Sequence, residues 1–470
     1  MLPFVRNLTL LLLALPPLAA QPLVLTGATV YDGTGGEPLT DATLVIDDGR
    51  IACVGATCPT PEGAETVDLA GRFVTPGLVD AHVHFAQTGW LDGRPDAGIG
   101  TDHYDYDALQ QALQANPDRW HRAYLCSGIT AVYDVGGFPW SVDVQTHDVG
   151  DTERAHVRAS GPLVTAFEPI FPVYEVDGEN AFYPMTTDEA AVESVRRIAA
   201  MGGAAVKVWF IDPPEDQRAA REARLLLVAD EARAHGLPLI VHATELRNAK
   251  AALRAGAQML VHSVTDAPVD AEFIRLAREA GAFYAPTLTV IGNWPRALAS
   301  VGLGVVVPLD DPNGCVDAET RRVIAEAPDL TESAPATVQD PAWVFAQLED
   351  GGRTLERMSA NLARVHEAGI PVVTATDAGN PLTVHGPSIY AEMEAMEAAG
   401  IRPADVLVMS TRNGAAGMGR DDLGTLAPGQ VADLTVLTED PGASTRAFRS
   451  ITHVMRGGVL REVGHFDAHD

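Results

Sequence analysis

The chain has 470 residues, 46% of them apolar, enough for one large domain or two smaller ones with sizeable cores. Its 33 basic against 63 acidic residues leave a net charge of −30, spread along the chain rather than gathered into runs. Such a surface argues against nucleic acid or anionic membrane as a partner and says little about the substrate.

Met1 to Asn7 carries one cation, Arg6, ahead of the apolar run Leu8 to Leu15 and the small residues that end at Ala20. That order is the signature of a secretory signal peptide over residues 1–20, and the run is shorter than the roughly 20 apolar residues a membrane span needs. The expected location is secreted or periplasmic, with no membrane association after the signal is removed. Residues 21–75 then show short alternating runs broken by Gly, Asp and Pro, with Asp47-Asp48-Gly49-Arg50 as a hairpin turn. The same texture returns in residues 425–470, so both chain ends are expected to build one small β-sandwich. Cys53 and Cys58 are close enough to bridge in an exported protein, whereas Cys126, in an apolar helical stretch, reads as a buried thiol.

Between these ends, residues 76–424 alternate strand-like and alanine-rich helical segments. Strands are expected at 78–84, 129–134, 158–165, 205–210, 238–242, 259–262, 283–289 and 371–376. Helices are expected between them, for example at 188–201, 216–235, 246–255 and 270–280. Eight such alternations predict an α/β fold of the (β/α)8 TIM-barrel type, since parallel strands need crossover helices. A doubly wound sheet is the alternative, but the glycine fingerprint after its first strand is missing. Two long connections, 167–185 and 292–344, read as lids or binding loops.

Polar residues at predicted strand ends form a pattern. Strand one ends in His82 and His84, which share a face because side chains alternate along a strand. Lys207 interrupts an apolar strand, His242 and His262 end the next two, and Asp377 ends the last. In a barrel these ends share one rim, where chemistry sits. Each residue alone has an ordinary explanation: a wet strand face for His-x-His, a satisfied histidine, a helix cap for Asp377. A lysine in a buried strand is harder to dismiss, because an unpartnered buried ammonium is costly.

With these residues the chain resembles the amidohydrolase superfamily, metal-dependent hydrolases on a (β/α)8 barrel. The matching stretches run from Phe73 to His84, from Thr411 to Ala416 and from Gly424 to Leu434. The His-x-His, Lys, His, His, Asp order is similar to its binuclear branch, nearest the imidazolonepropionase-like and prolidase-like members. The resemblance implies two divalent ions, Zn²⁺ foremost, with Mn²⁺ or Fe²⁺ left open by ligand type. His82, His84 and Asp377 would hold the more buried ion, His242 and His262 the other, and Lys207, carboxylated by CO₂, would bridge them as a carbamate. A water shared by the two cations would then be acidified toward hydroxide, and Asp377 would act as general base and acid. The implied reaction is hydrolysis of an amide or related C–N bond in a small molecule, with dipeptides or N-acyl amino acids as the class in view. His385, beside Gly386, is expected to face substrate, with Tyr284 and Thr287 as weaker candidates. Val261-His262-Ser263 departs from the Glu-His-Gly common among dipeptidase-like relatives, and Trp209-Phe210 after Lys207 has no assigned role. His103, His121, His147, His156, His235, His366, His453, His465 and His469 read as surface or packing residues. Two alternatives stay open: a one-metal ring hydrolase or deaminase, which would not need Lys207, and a non-catalytic binding protein on the same fold, whose mark would be missing ligands. The family is often oligomeric, which leaves a homo-oligomer open.

Overall fold

Both chain ends pair into one mixed sheet. In the computed structural model, which describes residues 21–146 and 149–467, Leu23–Val30 lies antiparallel to Leu39–Asp47, which turns into Arg50–Gly55. At that turn Asp48 and Gly49 have φ of 48° and 72°, the left-handed pair that a two-residue hairpin requires. Phe73–Pro76 joins the C-terminal part of Leu23–Val30 to Leu434–Leu437, Ile451–Arg456 and Val459–Glu462, while Glu65–Asp68 pairs with its N-terminal part. The result is a single sheet of eight strands with its own apolar cluster, including Leu25, Leu44, Val74, Leu434 and Met455. The expected signal peptide, residues 1–20, lies outside the described residues.

The middle of the chain is a TIM-barrel-like α/β fold. Leu78–Val83, Ile129–Asp134 and His156–Ala159 are parallel neighbours, and so are Leu163–Thr165, Val206–Trp209, Leu239–His242, Met259–Val261 and Phe283–Ala285. From Leu163–Thr165 to Phe283–Ala285 the neighbours follow chain order, and the short Phe182–Pro184 pairs with the outer side of Leu163–Thr165. Helices Asp188–Ala200, Arg218–Ala234, Leu246–Arg254 and Ala271–Ala280 fall within two residues of their expected ranges.

Three strands differ from expectation for local reasons. The one expected at 158–165 is two strands, because Gly161 is left-handed (φ 73°) and Pro162 has no N–H to continue the ladder. The one expected at 283–289 stops at Ala285, where Pro286 is followed by Thr287 at φ 47°. Residues 371–376 form no regular strand: the N–H of Thr374 goes to the Met409 carbonyl, and that of Thr376 to the Asp80 carboxylate. This segment still joins two sheet edges, since Val373 N–H donates to Tyr284 O and Ala81 N–H to Thr374 O. Asp377 N–H in turn donates to His82 O at 2.9 Å.

Residues 292–344 are not the bare loop expected. Helices Val290–Leu303 and Ala318–Ala325 run through them and build an apolar cluster with Val316, Leu330 and Val338. Cys126 is likewise not a free thiol. It is bonded to Cys315 across 189 residues, alongside the anticipated Cys53–Cys58 bridge. Among the described residues no helix is long and apolar enough to cross a membrane.

Candidate metal centre

Parallel strands that start together also end together, so their C-terminal residues meet at one rim. His82 Nε2 and His84 Nε2 lie 3.1 Å apart, and Asp377 Oδ1 is 3.2 Å from the first and 3.0 Å from the second. His262 completes the group, its ring centre 5.2 Å from that of His82, and Asp377 Oδ2 lies 3.9 Å from its Nδ1. The His242 ring centre is 4.5 Å from that of His262. Lys207 lines the same cavity and is 2% exposed.

The electrostatics suit a cation. Burial holds the imidazoles of His82 and His242 well below their usual pKa and pushes that of His262 down to about 4, leaving neutral rings with lone pairs to offer. Burial pushes the Asp377 carboxyl up, but the surrounding histidines more than offset it and hold it well below the carboxylate range. Burial also brings the Lys207 ammonium down to about 8, against the pull of Asp377 and Asp134. His82 Nδ1 and Asp377 Oδ1 are buried without a hydrogen-bond partner. Two nitrogens and an acidic oxygen packed this closely, one of them orphaned, fit a divalent ion such as Zn²⁺.

The surroundings aim these ligands. His84 Nδ1 is 2.6 Å from the Gly136 carbonyl, which can only accept, so Nδ1 is the donor there and Nε2 is the nitrogen turned to the site. His262 Nδ1 is 2.7 Å from Thr287 Oγ1. Asp80, 1% exposed, accepts from Thr376 Oγ1 at 2.6 Å and from the N–H groups of Thr376 and His82, fastening the first strand to the segment that carries Asp377. Glu392 accepts from the N–H groups of Leu288 and Thr289 and so fixes the turn after Thr287. His262, Thr287 and Asp377 all have left-handed backbones (φ 74°, 47° and 63°), a strain that persists only where the surroundings impose it and that gathers at functional sites. Thr287→Val keeps the side chain's shape and its backbone demand but removes the hydroxyl. Affinity for metal is expected to fall by about 10- to 100-fold, read by titration of the metal-free protein.

Seven of the nine site residues expected from sequence (His82, His84, Lys207, His242, His262, Asp377 and Thr287) line one cavity of about 270 Å³. Two expected substrate contacts do not line it. His385 is buried, with Nδ1 2.6 Å from Tyr124 Oη, Nε2 2.9 Å from Gln87 O, and its ring stacked on Trp120 at 3.9 Å. Both nitrogens are thus committed to the protein. The Tyr284 hydroxyl is 2.6 Å from Ser263 Oγ and accepts from Val264 N–H, and neither partner lines the cavity. Of the histidines read as surface or packing residues, those among the described residues stay out of this cavity. His147 and His469 lie outside the described residues. The cavity also brings in Arg94, Asp96, Tyr174, Trp294 and Asn380, which sit largely on irregular segments where periodicity carries no signal. Asp134, whose carboxyl burial raises to about 6, ends a predicted strand, and the rule that found Asp377 would have found it too.

Residues 73–461 match the amidohydrolase family. The chain belongs to that family. It is 25% identical over 435 residues to the imidazolonepropionase of Mesorhizobium japonicum, covering 87% of this chain and 89% of that one. To the imidazolonepropionase of Caulobacter vibrioides it is 29% identical over 239 residues, which span 45% of this chain and 57% of the relative. Among solved structures, a Xaa-Pro dipeptidase with bound methionine in its active site superposes with a TM-score of 0.69 at 19% identity, covering 94% of this chain and all of that one. At that identity the likeness is one of fold.

Proposed function

We propose that this protein is a metal-dependent hydrolase of a carbon–nitrogen bond in a small molecule, working with two divalent ions at the rim of a (β/α)8 barrel. The observation that carries the reading is the convergence of His82 Nε2, His84 Nε2 and Asp377 Oδ1 within 3.2 Å. His82, His84 and Asp377 would hold one ion, and His242 and His262 the other. Lys207 would join them as a carbamate; its neutral amine, favoured by burial, is the form that reacts with CO₂. The ions, Zn²⁺ by ligand type, supply Lewis acidity that polarises a carbonyl and acidifies water. Asp377 takes a proton from the attacking water and returns it to the leaving nitrogen, as the C–N bond breaks and a C–O bond forms. Dipeptides and N-acyl amino acids remain the class read from the sequence.

The barrel, residues 76–424, would carry the site, and residues 21–75 with 425–470 would curl into a sandwich around their own apolar cluster. Metal analysis tests the reading: two ions per chain are expected, with hydrolysis of members of a C–N substrate panel that a chelator abolishes. One ion per chain would favour the second reading, a ring hydrolase like the imidazolonepropionase relatives. We further propose export to a secreted or periplasmic location. The run Leu8 to Leu15 supports it, as do two disulfides, which persist in oxidising compartments. Protein made in a secreting bacterium is expected to begin at Gln21 on N-terminal sequencing, and an intact Met1 would refute it.

A further inference from the structure

Beside the metal ligands the cavity wall is aromatic and continuous. Tyr106 meets Tyr174 edge to face at 5.9 Å, Tyr174 meets Phe182 at 5.3 Å, and Phe182 meets Trp209 at 5.3 Å. Trp209 then lies 6.1 Å from His242, so the wall runs up to the proposed metal ligands themselves. Ring faces and edges of this kind bind flat apolar groups by area and by quadrupole contact.

The charges in the cavity are already matched. Its lining cations among the described residues are Lys207, among the metal ligands, and Arg94. Arg94 Nε and Nη2 donate to the two oxygens of Asp96 at 2.9 and 2.7 Å, Nη1 donates to Asn380 Oδ1, and the guanidinium lies 4.6 Å over Trp294. Tyr174 Oη donates to Asp96 Oδ1 at 2.6 Å, and Trp294 Nε1 donates to Asn380 Oδ1 at 3.2 Å. Both partners of the Arg94–Asp96 pair are largely buried, with side chains 16% and 22% exposed. A bidentate pair so held is net neutral and geometrically closed. A substrate carboxylate that approached Arg94 would meet the Asp96 carboxylate as well, inside a protein of net charge −30.

We propose that the substrate presents an uncharged aromatic group to the Tyr174–Phe182–Trp209 wall, and that Asp96, by closing Arg94, selects against substrates with a free carboxylate. The inference rests on the C–N hydrolase reading and sets neutral aryl amides in place of the dipeptides and N-acyl amino acids read from the sequence, which carry a free carboxylate. Asp96 and Arg94 are specificity-determining residues here, with no part in proton transfer.

The test compares matched amides on the metal-loaded enzyme: acetanilide against 4-acetamidobenzoate, N-methylbenzamide against its 4-carboxy derivative, and each neutral compound against its cyclohexyl counterpart. The neutral aryl amide is expected to exceed both its carboxylate and its cyclohexyl counterpart in kcat/KM by about tenfold or more. Equal or better turnover of the carboxylate overturns the proposal. Asp96→Asn should raise kcat/KM for the carboxylate about tenfold and remove the discrimination; an unchanged ratio in this variant also overturns it. Should none of these amides be hydrolysed while the protein holds its metal, the hydrolase reading fails for this class, and calorimetry still reads the pocket. N,N-dimethylnaphthalene-2-sulfonamide is then expected to bind about tenfold tighter than naphthalene-2-sulfonate, a difference of about 1.4 kcal/mol. Equal or tighter binding of the sulfonate overturns the proposal.

Discussion

Replacing Lys207 with alanine is expected to lower bound metal from two ions per chain to one or none, and kcat/KM by more than about 100-fold, beyond the upper end of what removing a residue that merely aims a ligand costs. Lys207 is 2% exposed and lines the cavity among neutral imidazoles, so as an ammonium it would be a desolvated charge at the place where the ions are proposed to sit. Its pKa, brought down to about 8 by burial, means that losing the proton there costs little. Lys207→Arg should fail equally, because a guanidinium keeps its charge and cannot form a carbamate. The metal-free protein offers a control. Lys207→Met leaves the Asp377 and Asp134 carboxylates without the cation that faces them, so at pH 7 its thermal unfolding is expected below the temperature of the unchanged metal-free chain. A Lys207→Ala protein that still binds two ions would remove the carbamate from the proposal.

The six proposed metal ligands were legible because one rule reaches them all: polar groups on or at the end of apolar parallel strands must share a rim. Asp134, at the end of Ile129–Asp134, obeys the same rule but stands outside the family motifs. Asp80 lies inside the quoted motif, yet its task, accepting from Thr376 across 296 residues, exists only once the chain is folded. The Gly161-Pro162 break in the third strand is written in the residue types alone. Other features leave no local trace. Cys126 finds Cys315 at a sequence separation of 189, and Arg94 finds Asp96 and Asn380 on segments without periodicity. Resemblance placed His385 toward substrate, but Trp120, Tyr124 and Gln87 enclose it, and those neighbours are set by packing that the motif does not encode.

Asp377→Asn is expected to lower kcat by about 10²- to 10⁴-fold, the range associated with a positioned acid–base group, with KM changed far less. Asparagine is the informative substitution because of the backbone. Asp377 sits at φ 63°, a left-handed conformation that Asp and Asn tolerate better than other residues with side chains. Alanine or glutamate there would add strain to the loss of chemistry, and the two effects could not be separated. The amide preserves size and one oxygen to face His82 and His84, but it cannot take a proton from water and hand it to the leaving nitrogen. It is also a weaker ligand than a carboxylate, so part of any loss will come through metal. Measuring bound metal alongside kcat divides the two contributions. If activity per fully metal-loaded chain returns to that of the unchanged protein at high metal concentration, Asp377 is a ligand only and the proton must travel another way. If activity stays down with both ions in place, Asp377 carries the proton.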